Sequence, residues 1–201
     1  KAGYRILIGS RSSEKAVTVA SEIMQLLEGS SSVVGTKNRE AAQQADIVVL
    51  TIPYAAHRET LESVADVLKG KLLVDVTAPL VPPKSKVQMP PAGSAAQEAK
   101  QIVGEDVEVV AAFQSIPHEL LLSEEDIECD VLVTGTSKKA RAEVLKLVEA
   151  TGLTGWDAGP IENSVVAEGL ASVLININKQ YGSTHAGIKI TGASNQSYKS
   201  A

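Results

Sequence analysis

A hydroxyl and two cations follow the first apolar run of the chain, at Ser10, Arg11 and Lys15. The run, Ile6 to Ile8, does not alternate with polar residues, so it predicts a strand buried on both faces of a parallel sheet. In dinucleotide-binding folds the end of the second strand faces the adenosine ribose, where a carboxylate marks an NAD site. A hydroxyl, a guanidinium and an ammonium would instead hold a 2′-phosphate. The pattern therefore predicts an NADP(H) site, and the alternative is a solvated turn whose charges merely begin a helix.

Three later apolar runs each end in a hydroxyl residue, one further residue and a proline: Thr51-Ile52-Pro53, Thr77-Ala78-Pro79 and Ser115-Ile116-Pro117. Ligands of open α/β sheets bind at the carboxyl ends of the strands. The three ends therefore predict loops built around one planar ligand, with the proline-dense residues 78–83 as a stiff wall. The alternative is that these prolines do no more than terminate strands.

Strands alternate with segments of helical spacing along most of the chain, which predicts an α/β fold with a doubly wound, mostly parallel, Rossmann-like sheet. We divide the chain into an NADP-binding domain at residues 1–160 and a C-terminal long helix and tail at residues 161–201. The apolar residues of that last helix cover more than one face, so we expect it to be largely buried, against a second subunit. Helices are predicted at Ser13 to Glu28, Ala55 to Leu68, Ser94 to Val103, Ser137 to Ala150 and Ile161 to Lys179.

The first residues, Lys1-Ala2-Gly3, have the pattern of a helix end with a glycine stop. A dinucleotide-binding unit also needs a first strand, a glycine-rich turn and a first helix before the strand at Ile6. We therefore expect roughly twenty to twenty-five residues, with the pyrophosphate-binding turn, to precede this sequence.

The amino-acid composition limits the classes of function that this protein can have. The 201 residues are 44% hydrophobic with a formal charge of −5, which suits one α/β domain and argues against disorder and nucleic-acid binding. No apolar run approaches the roughly 20 residues of a membrane helix, and no signal peptide is visible, so we expect a cytoplasmic protein. Cys129 is the only cysteine, and no histidine and carboxylate pair has metal-ligand spacing, so we expect no disulfide and no metal. His57 is expected at the surface of a helix start.

Six motifs in this order resemble those of NADPH-dependent coenzyme F420 reductases, also called F420:NADP oxidoreductases, from Gly3 to about Lys189. The motifs are Gly9-Ser10-Arg11 with Lys15, Thr51-Ile52-Pro53, Pro79-Leu80-Val81-Pro82, Ser115-Ile116-Pro117, Asp157-Ala158-Gly159-Pro160 and Gly187-Ile188-Lys189.

The resemblance implies direct hydride transfer between NADP(H) and the deazaflavin coenzyme F420, in a homodimer. Such transfer needs aligned rings and excluded water rather than acid or base side chains, so we name no catalytic residue. By resemblance, Ser10, Arg11 and Lys15 hold the 2′-phosphate. The expected cleft residues are Thr51, Ile52, Pro53, Ala56, Val81, Pro117 and His118.

The chain departs from the family pattern at two positions where the rings should meet. Gln114 stands where a histidine is expected, and His118 stands where a small residue is usual. Two alternatives therefore stay open. One is an NADPH-dependent reductase of another acceptor, such as a flavin, ferric iron or a small carbonyl or imine. The other is a non-catalytic NADP-sensing module.

Overall fold

The computed structural model describes residues 2–27, 32–82, 86–117, 120–122 and 127–194. The strands are β1 (Ile6–Ser10), β2 (Val33–Lys37), β3 (Ile47–Leu50), β4 (Leu72–Asp75), β5 (Leu80–Val81), β6 (Lys86–Val87), β7 (Glu108–Ala111), β8 (Asp130–Gly135) and β9 (Thr154–Pro160). The helices are α1 (Ser13–Leu26), α2 (Asn38–Gln44), α3 (His57–Val64), α4 (Ala95–Val103), α5 (Lys138–Ala150) and α6 (Ser164–Tyr181). Short 3₁₀ turns lie at Tyr54–Ala56, Ala65–Val67, Leu120–Leu122 and Ile161–Asn163.

The described strands form a five-stranded sheet in the order β3-β4-β7-β8-β9, and β1 pairs separately with β2. Every neighbouring pair in the large sheet is parallel except β7 with β8. Strands β5 and β6 form a small antiparallel ribbon after β4. The predicted mostly parallel α/β sheet is confirmed.

Alternating residues of the central strands face two separate cores, as the two-residue period of a strand requires. One core packs the sheet against α3 and α4, and the other packs it against α5. The helices on both faces confirm the doubly wound arrangement. Central-strand residues on the first face are Leu73, Val109 and Ala111, and those on the second are Val74, Val110 and Ala112.

Strand β1 is more exposed than its apolar sequence predicts. Ile6 keeps 39% of its surface exposed, and the residues of β1 are half-buried or exposed. Among the described residues β1 pairs only with β2, so its other edge gains no cover from a neighbouring strand. The expectation of a strand buried on both faces is wrong for these residues.

Helix α6 is also less buried than expected. Its inner face, with Ala167, Ala171 and Leu174, is buried, but Val166 and Val173 on the outer face are exposed. An apolar helix that leaves one face open in a single chain has not buried all the surface that its composition would favour. The described part of the chain has no helix of the length and apolar character needed to cross a bilayer.

Serine caps fix the starts of three helices, as local sequence predicts. The hydroxyl of Ser12 caps α1, Ser94 caps α4 and Ser137 caps α5, each by accepting a main-chain N–H three residues on. Helix α2 differs, because its N-cap residue Lys37 makes no side-chain cap hydrogen bond.

The packing of α1 on β2 depends on Gly35. A Cβ at this residue would lie 2.2 Å from the main-chain carbon and oxygen of Ala16. We expect Gly35→Ala to lower the free energy of unfolding by about 1 to 3 kcal/mol, because α1 must move off the strand. Urea unfolding of the variant and the wild type measures this difference.

The control is Gly169→Ala in α6, where a Cβ would meet only Met89 Cε at 3.6 Å. Alanine is the better helix former there, so this variant should be as stable as the wild type or more stable. Equal stability of Gly35→Ala and the wild type would contradict the close packing.

Candidate functional site

The predicted phosphate-binding residues lie where β1 passes into α1. Ser10 ends β1, and its Oγ accepts the Ser12 N–H at 3.3 Å. Lys15 lies in the first turn of α1, where its N–H donates to Ser12 Oγ at 3.4 Å. The side chains of Arg11 and Lys15 are exposed and have no hydrogen bond or ion pair with other described residues. Two cations without a partner among the described residues, beside the start of a 14-residue helix, can bind an anion.

The predicted cleft residues after β3 lie at the carboxyl edge of the large sheet. Thr51 and Pro53 are exposed, whereas Ile52 packs against the core beneath them. Ala56 ends the 3₁₀ turn and donates its N–H to the Pro53 carbonyl at 2.9 Å. This short segment can therefore present main chain and small side chains to a ligand.

The remaining cleft residues follow β4 and β7. Val81 is half-buried in the β5–β6 ribbon, opposite Lys86. Pro117 is half-buried, and its carbonyl accepts the Leu120 N–H at 3.1 Å. His118 lies outside the described residues, so its place in the cleft stays a prediction.

The structure brings the strand-end residues to one edge of the large sheet, whereas the predicted phosphate-binding residues lie at the end of the separate β1–β2 pair. In the described regions no hydrogen bond or ion pair joins the two groups, and α2 packs against β1, β2 and α3 between them. Two surface cavities lie elsewhere: one of about 400 Å³ along α6, and one of about 500 Å³ beside Glu108 and Thr136. Neither is lined by a predicted cofactor residue, so the assignment of those residues stays a prediction.

A buried polar network lies directly beneath the strand-end loops. His57 Nε2 lies 2.8 Å from Asp75 Oδ2, and both side chains are almost completely buried. Glu98 Oε2 lies 3.4 Å from His57 Nδ1 on the other side of the ring. Arg58 and Tyr54 both donate to the Glu98 carboxylate, at 2.7 and 3.1 Å.

The prediction of an exposed His57 is wrong, because α3 begins at His57 and packs this residue inward between β4 and α4. Asp75 is the one residue of this network that the sequence could have indicated. This carboxylate ends an otherwise apolar central strand, and a charge buried there needs a partner. The distant partner itself has no local signature.

The network shifts the pKa values of two groups. Burial disfavours the imidazolium and is the largest influence on His57, but the hydrogen bond and charge of Asp75 and the charge of Glu98 outweigh it and raise the pKa of His57. Burial, followed by the bond to Glu98, raises the pKa of Tyr54 to about 12. Tyr54 therefore stays a hydrogen-bond donor at neutral pH.

Gln114 reaches this network from a strained turn. Phe113, with a φ of 71°, is the only described non-glycine residue in the left-handed region, which costs roughly 1 to 2 kcal/mol. After this turn, Gln114 Nε2 donates to the main-chain oxygen of Asp75 at 2.9 Å. The amide expected where the two rings meet therefore ties the end of β7 to the end of β4. Such strain is concentrated at functional sites.

Glu168 of α6 is a further buried carboxylate. It accepts the N–H groups of Ala95 and Ala96, the first residues of α4, at 2.7 and 3.0 Å. Burial is the main cause that raises its pKa to about 7, and the charge of Asp75 adds to the rise. The two N–H bonds and the charge of His57 oppose it.

The mostly parallel, doubly wound sheet, with loops at the carboxyl ends of its strands, defines a Rossmann-like α/β protein. A solved structure of this fold from Arthrobacter sp. FB24, described as a candidate F420-dependent NADP reductase, has a TM-score of 0.80 and 24% identity. The structural match extends over 94% of this chain and 89% of the Arthrobacter chain.

Comparison of sequences gives the particular family. Residues 1–79 match the family model described as NADP oxidoreductase, coenzyme F420-dependent. The F420-dependent NADP reductase of Methanocaldococcus jannaschii is 32% identical over 93% of this chain and 87% of its own length. That of Methanothermobacter thermautotrophicus is 36% identical over 97% and 88%. The chain belongs to the F420-dependent NADP reductase family.

Proposed function

We propose that this protein is an NADP-dependent oxidoreductase that transfers a hydride between NADP(H) and coenzyme F420. The observation that carries the proposal is the similarity to relatives named F420-dependent NADP reductase, which extends over 93 to 97% of the chain. The similarity therefore includes the strand-end loops as well as the nucleotide-binding part.

The residues present suit the phosphate of NADP(H). Arg11 and Lys15 have no competing partner among the described residues, and Ser10 adds a hydroxyl at the same strand end. We assign the 2′-phosphate to these three residues, since a guanidinium fork and an ammonium match a phosphate in charge and geometry. NADP(H), when bound, supplies the nicotinamide that carries the hydride.

The loops after β3, β4 and β7 provide the second part of the proposed site. We assign the walls of the cleft to Thr51, Ile52, Pro53, Ala56, Val81, Pro117 and His118. These loops have small, apolar and proline-fixed residues, which suits the task of orienting two rings and excluding water. The donor and acceptor carbons must come within roughly 3 to 3.5 Å, so the walls control the rate through alignment.

The test mixes the protein with NADPH and oxidised coenzyme F420 and follows the visible absorbance of the deazaflavin. We expect rapid bleaching with NADPH and none with NADH at the same concentration. NADPH binding is measured in parallel by titration of its fluorescence.

Tight NADPH binding without bleaching would contradict the proposal. In that case the same assay with a flavin, ferric iron and a cyclic imine separates a reductase of another acceptor from a protein that only senses NADP(H). Equal rates with NADPH and NADH would contradict the phosphate assignment while leaving the hydride transfer intact.

We further propose a homodimer formed through the outer face of α6. The support is the exposed apolar surface of Val166, Val173 and Tyr181, beside the cavity of about 400 Å³ on the same helix. Light scattering decides between the monomer mass and twice that mass. A cytoplasmic location also stays a proposal from sequence, for which cell fractionation is the test.

A further inference from the structure

One buried residue connects the three strand-end loops. Asp75 Oδ2 lies 2.8 Å from Nε2 of His57, which follows the loop after β3. Asp75 Oδ1 accepts the N–H of Thr77, at 2.9 Å, in the loop after β4. The Asp75 main-chain oxygen accepts Gln114 Nε2, at 2.9 Å, in the loop after β7. Asp75 thus has one hydrogen bond to the loop after β4 and one to the loop after β7. Its third goes to His57, the first residue of α3, which directly follows the loop after β3.

The imidazole of His57 connects this residue to a second carboxylate. The ring lies between Asp75 and Glu98, with one ring nitrogen toward each. Among the described residues Nε2 is hydrogen-bonded to Asp75, whereas Nδ1 has no hydrogen-bond partner and meets Glu98 only as an ion-pair contact. A neutral ring that donates from Nε2 turns the lone pair of Nδ1 toward the Glu98 carboxylate, whereas an imidazolium presents an N–H to each carboxylate. The geometry therefore favours the charged ring. The charged and titratable groups that face His57 or its carboxylate partners are Asp75 of β4, Glu98 of α4, Glu168 of α6, and Tyr54 and Arg58 beside it in the chain.

We propose that Asp75, held by the charged imidazole of His57, is a positioning residue that sets the three loops of the redox cleft in register for hydride transfer. The inference rests on the proposed function for its kinetic consequence, but not for the network itself. Loss of the charge on His57 leaves Asp75 and Glu98 facing each other across a neutral ring, in a region that also contains Glu168. Repulsion between buried carboxylates then loosens the link between the loops.

The consequence is that kcat depends on pH through the alignment of the loops and not through a proton transfer in the reaction. The raised pKa of His57 means that its charged form stabilises the fold at low pH. This stabilisation is complete below the pKa of an unfolded histidine and is lost as the pH rises through the folded value. Over that same alkaline interval the loops should become less well aligned, and kcat should fall.

The test compares Asp75→Asn with the wild type in the deazaflavin assay between pH 6 and pH 10. Asparagine keeps the size of the side chain but removes the charge that holds the imidazolium. We expect kcat to fall roughly ten- to a hundredfold, because a misplacement of about 1 Å can cost an enzyme about a hundredfold in rate. We expect the affinity for NADPH to stay at the wild-type value, because the phosphate-binding residues lie on the other sheet. We also expect the alkaline decline of kcat to move to lower pH.

The matched control is Asp66→Asn, the same change at an exposed aspartate that forms a surface ion pair with Arg39. It should leave both kcat and the pH profile unchanged. If Asp75→Asn does not fold, His57→Gln replaces it: the amide can still donate to Asp75 but cannot titrate. Its kcat should be low and should not decline where the wild-type value declines.

Nuclear magnetic resonance tests the network without the reaction. The chain has three histidines, so His57→Gln assigns the His57 ring signal. We expect that signal in the wild type to titrate at higher pH than a free histidine, and in Asp75→Asn at lower pH than in the wild type.

A His57 signal that titrates at or below the pH of a free histidine would overturn the inference, whatever the enzyme reduces. A loss of kcat in Asp75→Asn without a shift of the alkaline decline would also overturn it, since a merely structural role predicts that result. If the wild type fails to bleach F420, the proposed function fails, and the titration alone then decides on the network.

Discussion

We expect Arg11→Glu to weaken NADPH binding roughly ten- to a hundredfold and to leave NADH binding almost unchanged. Arg11 is exposed at the end of β1, without a partner among the described residues, so its removal breaks no bond of the fold. Loss of a charge-assisted contact with the 2′-phosphate costs on the order of 1.5 to 3 kcal/mol. The new carboxylate also repels the phosphate. Titration of both nucleotides by calorimetry measures the two affinities.

Arg5→Glu is the matched control, because Arg5 is an exposed arginine immediately before β1, at its opposite end. The same change of charge there should leave the affinity for NADPH close to that of the wild type. If Arg11→Glu and Arg5→Glu weaken NADPH equally, the effect is one of net charge and the 2′-phosphate does not bind at Ser10 and Arg11.

The second large effect concerns stability and pH at Glu168. Its pKa rises from 4.5 to about 7 in the folded protein because the carboxyl is buried. A raised value means that stabilisation is complete below pH 4.5 and is lost as the pH rises through about 7. The unfolding free energy should therefore lose on the order of 3 kcal/mol from this group across that interval.

Glu168→Gln isolates this contribution, since the amide is neutral at every pH. Between pH 4.5 and pH 8 we expect the wild type to lose stability relative to Glu168→Gln. Urea unfolding of both proteins at each pH measures this change. Glu162→Gln, at an exposed glutamate just before α6, should show no such change. If the unfolding free energies of the wild type and Glu168→Gln differ by the same amount at every pH, Glu168 does not ionise in this interval.

Features that depend only on neighbouring residues follow from the amino-acid sequence alone. The caps at Ser12, Ser94 and Ser137 each involve residues three apart, so their spacing is visible in the sequence. The apolar runs that predict the central strands are equally local, and their carboxyl ends must share an edge once the strands are parallel. For this reason the parallel α/β fold and the positions of the strand-end loops could be predicted. The cations that follow β1 are equally visible in the sequence, and their role in binding the 2′-phosphate stays a prediction.

Contacts between residues that are distant along the chain depend on how the helices pack on the sheet. His57 and Asp75 are 18 residues apart, and Glu168 accepts from Ala95 across 73 residues. No periodicity connects such positions, because which carboxylate meets which donor depends on how helices pack on the sheet. The exposure of β1 and of the outer face of α6 has the same origin, since burial depends on neighbouring elements as well as on a segment's own hydrophobicity. Local sequence therefore indicates where the strand-end loops lie, and packing determines which buried charges meet beside them.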